Sequence, residues 1–469
     1  MNNQYKISSS IGGYPPNLAL FKPPLSDMLG NNIEKVVFST KNTLEDSRII
    51  FEITGNRNQL IDIRGISMHI KGLIKTEAGQ NLPEMPPGPW SPNAVPIPEG
   101  TAPADKTILE KQESDRVNNQ NNRKIADVVP VNNFFYSMYR DATLSIQGVK
   151  YFTNDIAYRG MFDTAVNNPY KNTSPKYTQM YFPPAYKIKY GESIVLGHPK
   201  LAADSYDLYE FTKKSNEIEM CGPLPFDICE QERLLLSHLD IKIELIKHYS
   251  DFIFKHPHGG RYKFVLTDCK LIVPFVTLPP DAEIAQAEML TKNPALYPYT
   301  NKKITVHSIP ANSTFMDQVN TWSGDVPSKL TILMLPSENY NGSYKSDPFA
   351  FQHNKVSRAE FKVDNKLIGK SINTKITDDD KTSHINDAYC ALVESYPLME
   401  LSRNKWLNNF PAFHFNINSS QNKDVLPLIT KGLTNVYMKF ETPIESDSVA
   451  IFFAEFPALM EIDGLRIVS

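Results

Sequence analysis

Short runs in which apolar and polar residues alternate recur along this chain, and their two-residue period constrains the fold more than any other feature of the sequence. The clearest run lies at 239–246, and its apolar members are Leu239, Ile241, Ile243 and Leu245. Alternation of this kind places apolar side chains on one face of a β-strand and polar side chains on the other. Comparable runs predict further strands at 49–54, 66–75, 142–147, 262–276, 304–309, 330–335, 358–364, 413–417, 436–440 and 449–453.

Helical periodicity is rare in the same sequence. Apolar residues recur at intervals of three and four at 131–139 and 385–396, which predicts two short amphipathic helices. A third helix is predicted at 281–292, after Pro279 and Pro280, with Asp281 as its N-cap. Because strands follow strands without a regular alternation of strand and helix, the pattern favours antiparallel sandwiches over a parallel α/β sheet.

The length of 469 residues is that of two domains. We therefore predict an all-β protein built from two tandem antiparallel jelly-roll β-sandwiches, with short helices in the loops. The predicted first jelly roll is 46–280 and the second is 281–469. Residues 1–45 show no period and are predicted to form an N-terminal arm.

One long segment inside the predicted first jelly roll has no strand pattern. Residues 77–127 contain a proline-rich stretch at 83–103 and a run of asparagine and glutamine at 118–122. A segment of this composition has too few apolar residues to order itself around a core. We predict that it is an exposed loop insertion between two strands.

Charge and hydropathy exclude several classes of protein. The chain has 49 basic and 52 acidic residues, which argues against sequence-specific nucleic-acid binding because such proteins carry a basic excess or stripe. No apolar run approaches the 18 residues of a membrane span, and no apolar segment follows the polar N-terminus, so neither a membrane span nor a signal peptide is expected. Without a secretory route, the Asn-x-Ser/Thr triplets at Asn172, Asn312, Asn341 and Asn418 are interpreted as chance matches.

The sequence offers few candidates for a metal site. The four cysteines lie at 221, 229, 269 and 390, without the C-x-x-C spacing of zinc sites, and are expected to be reduced thiols. His256 and His258 form a His-x-His pair next to two glycines, and 378–380 is a run of three aspartates. A turn and a solvated acidic loop are the favoured interpretations, because neither segment has the remaining ligands of a zinc or calcium site. No metal and no cofactor are therefore predicted.

The sequence contains no motif for catalysis. A nucleophile elbow, a phosphate-binding glycine loop and a zinc-protease motif are all missing from it. The three tryptophans, Trp90, Trp322 and Trp406, are too scattered to indicate a sugar-stacking platform. We predict that the protein is not an enzyme and has no catalytic residues. A carbohydrate-binding or glycoside-cleaving β-sandwich stays open as an alternative, because carboxylate pairs have no sequence signature.

Several motifs, taken in their order along the chain, resemble the major capsid (hexon-like) protein of Polinton, Maverick and adintovirus elements, which are virus-like transposons of animals. The motifs are 49–55 (IIFEITG), 60–63 (LIDI), 131–137 (VNNFFYS), 222–227 (GPLPFD), 233–236 (RLLL), 297–298 (YP), 347–353 (DPFAFQH) and 461–466 (EIDGLR). The chain departs from the family at Leu60, where an aromatic residue is expected, and at Asp347, where asparagine is expected. A vertex or minor capsid protein of the same class of virus is therefore the alternative within this resemblance.

The resemblance implies a double jelly-roll subunit that trimerises into a pseudo-hexameric capsomer of an icosahedral shell. The implied partners are the other copies in the homotrimer, neighbouring capsomers, and penton and minor capsid proteins. The implied location is the virion of a DNA virus, assembled inside the host cell in the cytoplasm or the nucleus.

Overall fold

The computed structural model describes nine continuous parts of the chain and a few single positions. The described parts are 33–55, 58–84, 128–167, 178–181, 203–256, 260–377, 381–399, 401–417 and 430–469, with scattered positions between 111 and 126.

The described residues of the first half of the chain contain eight principal strands. In chain order they are β1 (Ile33–Ser39), β2 (Arg48–Ile53), β3 (Ser67–Thr76), β4 (Tyr139–Ile146), β5 (Val149–Thr153), β6 (Ile218–Pro223), β7 (Ile241–Lys247) and β8 (Tyr262–Val276). They form two four-stranded antiparallel sheets, in the orders β1-β8-β3-β6 and β2-β7-β4-β5.

Another eight principal strands lie in the part of the second half that the structure describes. They are β9 (Ala295–Ile309), β10 (Phe315–Val319), β11 (Lys329–Pro336), β12 (Val356–Val363), β13 (Lys366–Leu367), β14 (Phe413–Asn416), β15 (Thr434–Phe440) and β16 (Ser448–Ile462). Their sheets have the orders β9-β16-β11-β14 and β10-β15-β12-β13, again antiparallel.

The two halves repeat one topology. Adding eight to each strand number converts both sheet orders of the first half into those of the second half. Two packed four-stranded antiparallel sheets with this order form a jelly roll. Every described strand pair lies within 33–276 or within 295–462. The predicted all-β fold of two tandem jelly rolls is therefore confirmed.

The described residues also contain six shorter strands, of which the first and the fifth named below join principal sheets and the other four form two separate two-stranded sheets. They are Leu60–Ile61, Val129–Pro130, Phe254–Lys255, Asp325–Val326, Ile372–Asn373 and Thr430–Lys431. The helices, in chain order, are α1 (Phe134–Ser137), α2 (Ile156–Asn167), α3 (Ala203–Thr212), α4 (Ser250–Ile253), α5 (Pro280–Leu290), α6 (Ser337–Asn341), α7 (Asn386–Ser395) and α8 (Arg403–Asn409). Short 3₁₀ helices lie at Lys213–Ser215 and Asp227–Glu230.

The sequence-based boundaries need four corrections. Strand β1 lies inside the predicted arm and pairs with β8, so the first sheet begins before residue 46. Residues 1–32 of that arm lie outside the described residues. The helix predicted at 131–139 is only the single turn of α1, because Tyr139 already belongs to β4. The N-cap of α5 is Pro279, and Asp281 lies in the first turn. Strands β9 and β16 are each 15 residues long and extend well beyond the predicted runs.

Burial follows the predicted alternation in most strands. In β3, for example, Met68 and Ile70 are buried, whereas Ser67 and His69 between them are half-buried. Strand β1, at a sheet edge, turns Val36 and Phe38 towards the core and leaves Ile33 and Val37 exposed. No helix in the described part of the chain is long and apolar enough to cross a membrane.

Candidate functional site

The two jelly rolls meet in an extensive contact, which we call the inter-roll interface. On the first jelly roll it consists of 151–163, 227–237 and 252–256. On the second it consists of 296–304, 340–351, Tyr396, Phe410, Phe453 and Arg466. Its main elements are α2, which follows β5 along the chain, and the edge strand β9.

Five charged residues form an ion cluster in the middle of this interface. Four of them, Arg159, Asp163, Asp227 and Glu230, belong to the first jelly roll, and Lys302 comes from β9 of the second. The ammonium of Lys302 lies 2.9 Å from Oδ1 of Asp163 and 2.7 Å from Oε1 of Glu230. Its backbone N–H donates to Oδ2 of Asp227 at 2.9 Å. One residue of the second jelly roll therefore contacts three carboxylates of the first.

Arg159 is the second cation of the ion cluster, and it contacts two of the same carboxylates. Its guanidinium lies 2.5 Å from Oδ1 of Asp227 and 3.2 Å from Oδ2 of Asp163, and its side chain is only 4% exposed. Two cations thus face three carboxylates. A buried cation at such a site is stable only while its anionic partners are present, because burial removes its hydration.

Burial and charge shift the pKa values of the cluster in opposite directions. Burial lowers the pKa of Lys302, but Asp163 and Glu230 raise it more, so the pKa lies above its ordinary value. Burial raises the pKa of Asp163, but Lys302 and Arg159 lower it more, so the pKa lies below its ordinary value. Both groups are therefore charged at neutral pH and attract each other across the interface.

An aromatic layer adjoins the ion cluster. The ring of Tyr158 stacks on Tyr340 with a centroid distance of 5.5 Å and meets Phe349 edge-on at 5.7 Å. The ring of Phe162 stacks on Phe453 at 4.8 Å and meets Tyr396 edge-on at 5.6 Å. Tyr158 and Phe162 lie on α2, and their partners belong to the second jelly roll, so apolar burial joins the two halves alongside the ion pairs.

Hydrogen bonds at both ends complete the interface. Near α5, the guanidinium of Arg233 donates to the carbonyl of Leu296 at 2.6 Å. Close by, the hydroxyl of Tyr297 donates to the carbonyl of Leu234 at 3.2 Å. At the opposite end, the ammonium of Lys255 lies 3.0 Å from Oδ2 of Asp347. These contacts bind the connecting loops of one jelly roll to the other.

Most of the sequence motifs quoted above lie at or beside the inter-roll interface. Asp227 ends the motif at 222–227, and the motif at 347–353 supplies Asp347 and two phenylalanines of the aromatic layer. Arg466, in the last motif, donates from Nε to the carbonyl of Ser237 at 2.7 Å. These motifs therefore fix how the two jelly rolls are joined.

Sequence reasoning missed α2, the central element of the interface. Gly160 allows this helix to lie against α1, because a Cβ at this position would come within 2.5 Å of Tyr136 Cβ and Cγ. The residues from Ile156 to Phe162 are all buried, and even the charged side chain of Arg159 lies inside the interface. The available signal was the helical spacing of the apolar pairs at 157–158, 161–162 and 165–166.

Of the candidate metal ligands, only His256 lies among the described residues. His256 is buried, and its Nδ1 accepts a hydrogen bond from the N–H of Gly260 at 2.8 Å, while its Nε2 lies 2.9 Å from the hydroxyl of Tyr262. His258 and the aspartates at 378–380 lie outside the described residues. Within the described ranges, no group of three His, Cys, Asp or Glu side chains is arranged to hold a metal ion.

The remaining sequence candidates have structural roles where they are described. All four cysteines are free, and Cys229 and Cys269 are buried. Trp322 and Trp406 belong to the core of the second jelly roll, and Trp90 lies outside the described residues. A cavity of about 320 Å³ lies between α5 and β9, next to the interface, where the side chains of Leu290 and Tyr297 help to line it.

Comparison with known proteins supports the fold over nearly the whole chain. No family model matches the sequence. A chain in the structure of the Sputnik virophage is 11% identical with a TM-score of 0.56, and the match covers 98% of this chain and 93% of that one. A chain of the PBCV-1 virus capsid is 8% identical with a TM-score of 0.51, covering 96% and 99% of the two chains. The Faustovirus major capsid protein is 8% identical with a TM-score of 0.50, covering 95% and 92%.

A relative is also found among animal proteins. An uncharacterized protein of Caenorhabditis elegans is 22% identical over an alignment of 375 residues, and the match covers 72% of this chain and 80% of that protein. The match covers most of both chains, so the likeness is not confined to one jelly roll.

Proposed function

We propose that this protein is a structural subunit of a viral capsid, and that three copies form a pseudo-hexameric capsomer of an icosahedral shell. The observation that carries the proposal is the repeated topology: two jelly rolls with the same strand order are fixed together in one chain by the inter-roll interface. Three such chains supply six similar units, and a closed ring of three leaves no unsatisfied contact within the tile.

The similar structures support this proposal. One comes from a virophage, one from a virus capsid and one is a viral major capsid protein, and each match spans at least 95% of this chain. A role in the shell also fits the composition, since the near-neutral charge leaves genome neutralisation to other molecules. We therefore propose a structural function without catalytic turnover.

The finer assignment rests on the sequence motifs. We infer a major capsid protein of a Polinton-like element, a DNA virus or virus-like transposon, located in the virion and assembled inside the host cell. Its partners would be neighbouring capsomers, together with penton and minor capsid proteins. The nematode relative is in line with an element carried by animals. A vertex or minor capsid protein is the alternative.

The proposal is tested by measuring the mass of the purified protein by light scattering over a range of concentrations, followed by electron microscopy. We expect trimers in solution and flat or curved arrays of pseudo-hexagonal tiles. A pentameric or monomeric particle that binds preformed tiles would instead indicate a vertex or minor capsid protein. A protein that is monomeric at every concentration and forms no assemblies would contradict a role in the shell.

A further inference from the structure

Helix α5, which lies between the two jelly rolls along the chain, has no buried residue among its 11 positions. It nevertheless carries large apolar side chains, since Ile284 is 60% exposed and Met289 is 62% exposed. An isolated helix of fewer than about 12 residues is marginal in water, and helices in proteins are stabilised mainly by packing of an apolar face. Only Gln286 and Leu290 of α5 are partly covered, so most of its surface has no packing partner among the described residues.

Further exposed apolar side chains lie around the C-terminal end of α5. The cavity of about 320 Å³ between α5 and β9 is lined in part by Met289, Leu290 and Leu296, and Leu296 is 42% exposed. Gly464 lies beside this end, because a Cβ on it would be 3.1 Å from the carbonyl oxygen of Leu290. Its neighbour Leu465 is 82% exposed. We call α5 together with Leu296 and Leu465 the α5 patch, and exposed apolar surface of this kind marks a binding site.

The pairing of β1 brings the N-terminal arm towards α5. Ile33, the first residue of β1, pairs with Val276, the last residue of β8 before α5. Gln59 joins the two strands there, because its Nε2 lies 3.3 Å from Oε2 of Glu34 and 2.9 Å from Oγ1 of Thr277. Since β1 and β8 are antiparallel, the chain before Ile33 enters the sheet at the end where β8 leads into α5.

The arm, which lies outside the described residues, contains an apolar segment at 14–25 (YPPNLALFKPPL). Leu18, Leu20 and Phe21 lie at its centre, with a pair of prolines on each side. Proline has no backbone N–H, so the flanks cannot donate to a sheet and the segment has to bury its apolar residues through side-chain contacts. Its one charged residue is Lys22. Helix α5 carries no basic residue but three acidic ones, Asp281, Glu283 and Glu288.

The segment can reach the α5 patch of its own chain. Residues 26–32 connect it to β1 and can span about 23 Å when extended. Helix α5 is about 16 Å long, so the segment can lie along the whole helix and reach the cavity. The short connection also keeps the segment at a high effective concentration near this patch, which favours the segment of the same chain over that of another copy.

We propose that residues 14–25 bind to the α5 patch of the same chain, with their apolar side chains against Ile284 and Met289 and in the cavity beside β9. The arm thereby supplies the packing partner that α5 lacks, and Lys22 faces an acidic helix. This binding site belongs to a single chain, so the inference goes beyond the proposed capsomer and does not depend on it.

A disulfide tests the proximity of the segment and the helix in the full-length protein. The variant carries Leu20→Cys and Met289→Cys, together with Cys390→Ser because Cys390 is exposed. After mild oxidation with copper phenanthroline, we expect a disulfide between positions 20 and 289 in a protein of monomeric mass. In the matched control, Val319→Cys on β10 replaces Met289→Cys at a position of similar exposure, and no disulfide within the chain should form.

Two outcomes of the oxidation would overturn the inference. Free thiols at both positions after oxidation would show that the segment does not bind the patch. Covalent dimers linked through positions 20 and 289 would show that the arm of a second copy occupies it instead. Neither outcome bears on whether the protein forms trimers, which light scattering measures separately.

Hydrogen exchange tests whether the segment stabilises α5. In the full-length variant Leu20→Asp/Phe21→Asp, the amides of residues 284–290 should exchange faster by about tenfold or more, because the helix loses its packing partner. Exchange in β8 should stay unchanged, which shows that the fold is intact. The matched control Ile7→Asp/Ile11→Asp changes the same arm outside the segment and should leave α5 unaffected. Equal exchange of α5 in the unmodified protein and the Leu20→Asp/Phe21→Asp variant would contradict the inference.

Discussion

The ammonium of Lys302 lies 2.9 Å from the carboxylate of Asp163, although the two residues are 139 positions apart and belong to different jelly rolls. Removing the cation by Lys302→Met would leave Arg159 alone against three carboxylates. We expect the free energy of unfolding to fall by about 3 kcal/mol, because breaking a buried ion pair leaves uncompensated charge in the interior. Urea denaturation at neutral pH measures this change.

The control is an ion pair on the outer face of a sheet. Arg48 lies 2.8 Å from Glu244, but its side chain is 59% exposed, so Arg48→Met should cost less than about 1 kcal/mol. Equal effects of the two substitutions would show that the ion cluster does not hold the jelly rolls together.

Most of the strands could be predicted from the sequence, whereas the inter-roll interface could not. Strand β8 matches its predicted range of 262–276, and its apolar residues Leu271, Val273 and Phe275 alternate on a buried face. The first half of β9 was missed, because 295–303 faces the other jelly roll and contains Pro298, which is tolerated there since β9 is an edge strand. Side chains buried against a second domain need not alternate as those of a half-exposed strand do.

There is a further reason why the inter-roll interface could not be predicted from local sequence patterns. Asp163, Asp227 and Lys302 come from three separate segments, and only the paired topology of the two jelly rolls brings them together. The resemblance had singled out the motif that contains Asp227 without giving that residue a role. Its role follows from the hydrogen bond to the Lys302 backbone.

Helix α2 should be sensitive to added volume at Gly160. Alanine is favoured over glycine in a helix by about 1 kcal/mol, but its Cβ would come within 2.5 Å of the Tyr136 side chain. We expect Gly160→Ala to lower the midpoint of thermal unfolding, and Gly160→Val to lower it further. A higher midpoint for Gly160→Ala would mean that α1 and α2 separate easily.

The long insertion at 77–127 should be replaceable without loss of the fold. Its described ends are fixed: the N–H of Leu82 donates to Oγ of Ser215 at 2.8 Å, and the carbonyl of Ile125 accepts from the hydroxyl of Tyr262 at 3.0 Å. Residues 85–110 lie outside the described residues. Replacing 88–121 with a short Gly-Ser linker should change the free energy of unfolding by less than about 1 kcal/mol, because closure entropy varies slowly with loop length. Insoluble protein would place the insertion in a core or an oligomer interface.

His256 should serve the fold and bind no metal. Because its Nδ1 accepts from the N–H of Gly260, the neutral ring carries its proton on Nε2 and donates to Tyr262, which leaves no lone pair for an ion. Elemental analysis of the purified protein should find no stoichiometric transition metal, and His256→Ala should lower thermal stability without changing that result. A bound metal that disappears in the variant would establish a site at His256.

Mild acid should destabilise the protein through two histidines that the fold keeps neutral. Burial, together with the nearby charge of Lys329, lowers the pKa of His414 to about 3. Burial, together with Arg140, lowers the pKa of His248 to about 4. Below about pH 6.5 the unfolded chain binds protons at these residues while the folded chain does not, so stability falls with pH from there towards the folded-state values.

The pH at which stability is lost distinguishes these histidines from the carboxylates. At pH 5 a histidine held neutral costs about 2 kcal/mol relative to neutral pH, whereas Asp163, whose pKa lies below its ordinary value, contributes its stabilisation until the pH falls below about 4. The variant His414→Gln should therefore lose roughly 2 kcal/mol less than the unmodified protein between pH 7 and pH 5, because glutamine does not titrate. Adding His248→Gln should flatten the profile further. Urea denaturation at the two pH values decides the matter, and an unchanged profile in the double variant would place the acid sensitivity elsewhere in the chain.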